Sequence, residues 1–170
     1  LLYCGFYVKK VRRISLKSHE LSEDLNVSNT LIQCVRILSN SADQKRSIDE
    51  ILQIICEFYQ AQRCYVLDLD MDNKKTNGIY EYGKQYDDIH VENMVRLCLE
   101  HMDLVNQFFE NQKSYYIDDV TNEISVTSPI YSSFIQQKIH SIIVVPFMDD
   151  KQINGVFAVD NPKQNYYQKD

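Results

Sequence analysis

The chain has 170 residues, 44% of them apolar and 25% charged, which suits one ordinary globular domain plus a flanking helix and excludes wholesale disorder. Only 4 Gly and 3 Pro exclude collagenous and low-complexity architectures. The 24 acidic against 18 basic residues, a formal charge of -6, have the wrong sign for a module that takes its affinity from nucleic-acid phosphates, so no nucleic-acid partner is expected. Cys4, Cys34, Cys56, Cys64 and Cys98 form neither a CxxC pair nor a disulfide framework, and no run approaches the roughly 20 apolar residues of a membrane span. A reducing, cytoplasmic setting is expected.

Residues 1–14 open with "LLYCGFYVKKVRR", apolar side chains followed by Lys9, Lys10, Arg12 and Arg13. They read either as the membrane-proximal edge of an upstream span or as the last strand of a preceding domain. With Leu1 rather than Met at its start, the chain is expected to be a piece of something longer. Residues 15–39 hold no Gly or Pro and are expected to form a linker helix. Leu21, Leu25, Ser28, Ile32 and Val35 are spaced four, three, four and three apart, a heptad seam suited to a homodimer. A second stripe of Val27, Leu31, Cys34 and Leu38 also permits the plainer reading, an amphipathic helix covering one core.

After a polar break over Asn40 to Lys45, Ser47 and Glu50 are spaced as a capping box ahead of Ile48, Ile51, Leu52, Ile55, Phe58 and Tyr59, which predicts a second amphipathic helix. "RCYVLDLD" from Arg63 to Asp70 alternates with period two, Asp72 to Gly78 reads as a turn, and "IYEY" at Ile79 to Tyr82 completes a hairpin. Asp87 to Glu100 is open between strand and helix, whereas Met102, Val105, Phe108 and Phe109 predict a short helix. "SYYIDDV" reads as a strand, and Ser128 before Pro129 starts a short helix toward Lys138. "IHSIIVVPF" and "QINGVFAVDN" form a last apolar hairpin around Asp149-Asp150-Lys151, as central strands covered on both faces would. The order predicts an α+β domain with a mainly antiparallel sheet.

That order, with "IDEILQIICEFYQAQRCYVLDLD" and "IHSIIVVPFMDDKQINGVFAVDNP", resembles the GAF domain family over about Asn29 to Asn165. It is most similar to the GAF modules of bacterial multidomain signalling proteins, which often precede cyclic-dinucleotide synthesis or hydrolysis domains. The resemblance implies a GAF/PAS-like fold: a central sheet with helices packed on one face and a loop and helix region closing a small-molecule pocket on the other. It divides the chain into residues 1–14, a signalling linker helix at 15–39, a GAF domain at 40–165 and the start of a further linker at 166–170. Cyclic-nucleotide, bilin and redox subclasses each find no complete residue set here, so no cofactor is named. Cys98 is the one thiol expected near a pocket.

Within that frame Tyr65, Leu67, Tyr82, Phe109, Ile117, Phe134, Ile143 and Val145 are the pocket candidates, the plainer reading of the 12 Tyr being cover for a half-buried sheet. No catalytic or metal residue is expected. Asp68, Asp70 and Asp72 lack the Gly and bidentate Glu of a calcium loop, Cys98 and His101 lack two further zinc ligands, and the Asp87-Asp88, Asp118-Asp119 and Asp149-Asp150 pairs sit at predicted turns. The expected role is a sensory or regulatory module acting through helical dimer contacts on an output domain. A ligand-free dimerising spacer and a thiol-dependent reductase using Cys98 remain as alternatives.

Overall fold

The computed structural model describes residues 22–40, 42–70, 73, 75–83, 114–149 and 152–163. The chain divides into two units, Leu1–Ala42 and Asp43–Asp170. In the first, residues 22–40 form one helix, α1, with Thr30 Oγ1 bonded to the Asn26 carbonyl and Ser39 Oγ to that of Val35. Its Leu25, Leu31, Ile32, Val35 and Leu38 are exposed. Residues 1–21, with Leu21 and the first part of the expected 15–39 helix, lie outside the described residues, as does the expected linker at 166–170. No described helix is long and apolar enough to cross a membrane.

The second unit opens with α2, Gln44–Phe58, whose apolar positions 48, 52, 55 and 56 recur at helical spacing and, with the C-cap Tyr59, pack on the sheet. The expected Ser47–Glu50 capping box does not form. Asp43 is the N-cap, its carboxylate accepting from the Arg46 amide at 3.2 Å, while Ser47 Oγ turns back to the Asp43 carbonyl at 2.9 Å. With Asp43 meeting the open donors of the first turn, the helix starts earlier and Glu50 pairs instead with Arg46 Nε at 3.0 Å. Gln60, at φ 48, reverses the chain after α2 into the sheet.

Among the described residues the sheet has five antiparallel strands in the order β2-β1-β5-β4-β3: β1 Arg63–Asp70, β2 Lys75–Gly83, β3 Tyr115–Ile117, β4 Ile142–Asp149 and β5 Gln152–Asp160. Two short helices, α3 Val120–Glu123 and α4 Pro129–Gln136, lie between β3 and β4. Two expectations change: β2 begins at Lys75, inside the stretch read as turn, and "SYYIDDV" is strand only to Ile117, because Asp119 caps α3 through the Thr121 amide at 2.9 Å. Ser128 is the N-cap of α4 with Pro129 as its first residue, as expected, although the cap carries no side-chain hydrogen bond. The expected helix around Met102 to Phe109 and the open stretch before it lie outside the described residues.

Register divides the apolar side chains into two layers, since directly paired residues share a face. Cys64, Val66, Tyr80, Val145, Ile143, Phe157, Val159 and Tyr116 pack with α2. Tyr65, Leu67, Leu69, Ile142, Val156, Ala158 and Ile117 pack on the other side, with Val120, Ile124 and Phe134 of the α3–α4 region. Asn77 and Asn154 are each the extra residue of a bulge, opposite Asp68/Leu69 and Phe147/Met148 respectively. Between them Gly155 meets β1 so closely that a Cβ there would stand 2.4 Å from the Leu67 carbonyl oxygen. Because that neighbour is backbone and cannot swing aside, Gly155→Ala is expected to lower stability by about 2 kcal/mol or more. Gly78→Ala, whose Cβ would first meet the Tyr80 ring at 3.3 Å, is expected to cost less in the same thermal melts.

Candidate functional site

The face opposite α2 carries the features from which a site can be built. Leu67 and Ala158 floor its centre, and Phe134 and Ile139 come down onto it from α4 and the turn after it. At the end of the sheet nearest the α4 C-terminus, Arg63 opens β1 directly across from Asp160, which closes β5. Both are only 2% exposed, and a buried charge needs partners to offset lost hydration. Arg63 Nε donates to Asp160 Oδ2 at 2.8 Å, Nη2 donates to the same oxygen and to Gln137 Oε1 at 2.9 Å, and the guanidinium lies 4.9 Å from the Tyr65 ring centre. Gln137 Nε2 then donates to Ser133 Oγ at 3.1 Å, carrying the network into α4.

Burial drives the Asp160 carboxyl up to about 6, against the pull of the Arg63 guanidinium and a hydrogen bond with Tyr65, and its Oδ1 meets no hydrogen-bond partner among the described residues. Burial alone would lower Arg63, but Asp160 and Tyr65 more than reverse that, so the guanidinium stays charged. The arrangement orients and supports. It positions Tyr65 and Gln137 at one end of the apolar face and supplies no nucleophile with an adjacent base.

Four of the sequence candidates, Tyr65, Leu67, Ile117 and Phe134, fall in this one cluster. Ile143 and Val145 lie on the α2 side, and Tyr82, paired with Cys64, belongs to that side too and is partly exposed, so these three do not join the other four. The reason is parity: in an apolar central strand neighbouring residues look alike in sequence yet point to opposite faces. Phe109 and Cys98 lie outside the described residues. The described strand and helix thiols closest to the sheet, Cys56 and Cys64, are on the α2 side and hydrogen-bonded to each other, which lowers Cys56 and raises Cys64.

The acidic groups have local tasks. Asp70 accepts from the amide and side chain of Asn73, which hold its carboxyl below the usual range, and Asp119 does the same with Thr121 and Asn122 around the α3 cap. Among the described residues no three His, Cys, Asp or Glu side chains gather as metal ligands would.

Replacing Arg63 by Met keeps the bulk and leaves Asp160 as an orphaned buried carboxylate, an expected loss of about 3 kcal/mol near neutral pH. Without the guanidinium, desolvation holds the folded-state pKa of Asp160 above its unfolded value of 3.8. The neutral acid's advantage is then fully present below about pH 4 and lost as pH rises through the folded pKa. Denaturant unfolding of Arg63→Met is therefore expected to show its largest deficit at pH 7 to 8 and a smaller one at pH 5.

A GAF domain family model matches residues 41–170. No curated protein matches the chain. The GAF domain of a phosphoenolpyruvate-protein phosphotransferase from Coxiella burnetii superposes with a TM-score of 0.59 at 11% identity, covering 85% of this chain and 83% of that one. The GAF domain of the Acinetobacter phosphoenolpyruvate-protein phosphotransferase gives 0.57 at 16%, covering 85% and 82%. A free methionine-R-sulfoxide reductase from Neisseria meningitidis, solved with its substrate, gives 0.53 at 14%, covering 82% and 74%. At such identities these likenesses establish the fold alone. With the family model spanning most of the sequence and the fold agreeing with it, the chain belongs to the GAF domain family.

Proposed function

We propose that this chain is a sensory or regulatory module that takes a small molecule on the sheet face opposite α2 and passes the change in occupancy to an output domain. The observation that carries the reading is the convergence of Tyr65, Leu67, Ile117 and Phe134 on that face, beside the polar end formed by Arg63, Asp160 and Gln137. An apolar surface with a few fixed polar groups is the usual chemistry of a ligand site. Residues 84–113, between β2 and β3, lie outside the described residues. The setting proposed is cytoplasmic, with an output of the cyclic-dinucleotide synthesis or hydrolysis kind that the sequence resemblance suggests.

The second half of the proposal is a homodimer through α1. Leu25 and Ile32, at 63% and 47% exposure, share a heptad seam with Ser28 and Val35, and pairing two such helices buries the apolar side chains of both. A population shift between two packings of that pair would transmit the signal. A ligand-free spacer is the competing reading, favoured by how closely the site face is filled, with Leu67 at 0% and Ala158 at 1% exposure. A thiol-dependent reductase would rest on Cys98, because Cys56 and Cys64 belong to the α2 side.

Two measurements test the reading. In a thermal-shift panel of cyclic mono- and dinucleotides, purines, amino acids, tetrapyrroles and organic acids, a ligand at about 100 times its Kd adds roughly 2.7 kcal/mol, a few degrees for this size. A true hit is expected to weaken in Phe134→Leu and to persist in Tyr82→Ala, on the opposite side of the sheet. Silence across the panel together with a concentration-dependent dimer would establish the spacer reading. In sedimentation, Leu25→Asp with Ile32→Asp is expected to give monomer, and an unchanged association state would remove the α1 seam.

A further inference from the structure

Asn161, the residue after β5, is held in the left-handed region at φ 51 and spends every hydrogen-bonding position of its side chain on structure. Its Oδ1 accepts from the amides of His140 at 2.7 Å and Ser141 at 3.1 Å, and its Nδ2 donates to Gln62 Oε1 at 3.0 Å and to the Lys138 carbonyl at 2.9 Å. Its own amide donates to the Ser141 carbonyl at 2.8 Å, and two residues on, the Lys163 amide donates to the Tyr59 carbonyl at the α2 C-cap at 3.0 Å. The His140 carbonyl in turn accepts from the Val120 amide at 2.9 Å, tying in the first turn of α3.

Thus the C-terminal end of α4 is fastened to the exit of β5 twice, by side chains through Gln137–Arg63–Asp160 and by the Asn161 side chain on the Lys138 carbonyl. Phe134 on the same helix packs on the candidate site face. An α4 that shifts on the sheet must either break these bonds or carry the exit segment with it, and the second course keeps buried polar groups paired.

We propose that the Asn161 knot, with the Arg63–Asp160–Gln137 network, is a coupling device that converts displacement of α4 over the site face into displacement of the segment leaving β5. Its use in sensing rests on the ligand-binding reading above. The coupling itself does not, and it is tested without any ligand.

The test is amide hydrogen exchange on the whole chain, wild type against Asn161→Gly and Gln137→Leu. Glycine keeps the left-handed backbone and removes the side-chain ties, while leucine removes the Arg63 contact from α4. Coupling is reciprocal, so Asn161→Gly is expected to speed exchange about tenfold at the α4-end amides of Gln137, Lys138 and Ile139, and Gln137→Leu to do so at Asn161 and Lys163. The β1–β2 ladder amides serve as the reference and are expected to stay unchanged. Ser133→Ala, which takes only one bond from Gln137, is expected to give the same pattern at smaller amplitude and keeps the test open if Gln137→Leu fails to fold. Loosening confined to the substituted element in each variant overturns the device. Because no ligand is present, that failure is distinct from a silent thermal-shift panel.

Discussion

The guanidinium of Arg63 is the constraint around which this domain is arranged. Moving such a charge out of water is tolerable only with an anion and further acceptors in fixed positions, so its neighbours have little freedom. The antiparallel register puts Asp160 opposite it, the end of α4 brings Gln137, and the next side chain on the same face of β1 offers the Tyr65 ring. The pair therefore sets where α4 ends on the sheet and where β5 stops. Asp160 at 2% exposure is followed at once by the left-handed Asn161, which turns the chain away while its amide side chain holds together the residues leading into β1 and β4 and the turn after α4.

Most of the architecture could be read from residue spacing. "RCYVLDLD" alternates, the last two strands are apolar throughout, and α2 carries its apolar side chains at helical intervals, so the layers follow from local pattern. Boundaries were less legible where two polar groups compete for one task. Asp43 and Ser47 can both cap a helix, and the earlier one prevails because it satisfies the amides of the first turn while Ser47 still finds the Asp43 carbonyl. In the same way "IDDV" keeps the alternation of a strand, yet Asp119 meets the Thr121 and Asn122 side chains and so favours a helical turn.

The candidate site was only half legible, for a different reason. Which face a strand residue takes depends on cross-strand register, and register is a long-range property that a run such as "IIVVPF" does not encode locally. Tyr65 and Leu67 share parity with Asp160 and Ala158, whereas Ile143 and Val145 share parity with Val159 and Phe157. The Arg63–Asp160 pair is separated by most of the domain's sequence, and neither residue is unusual at a strand end. The signal that points to it is the pairing of an arginine at the head of one apolar strand with an aspartate at the foot of another, which has meaning only once the two strands are known to be antiparallel neighbours.

The two faces share the same central strands, and this limits how they can communicate. Bending β1 or β5 to carry a displacement from one side to the other would disturb ladder bonds and two packed layers at once, because Cys64, Leu67, Ala158 and Val159 are all within about 1% of full burial. Around the end of the sheet the situation differs. There the links are individual hydrogen bonds between turns, from Lys138 and His140 through Asn161 to Gln62, and from Lys163 to the C-cap of α2. Such bonds can shift together at small cost, whereas a close-packed sheet resists. On the proposed coupling, a change at α4 would reach the α2 side most cheaply round the Arg63 end of the sheet, where the buried ion pair holds β1 against β5.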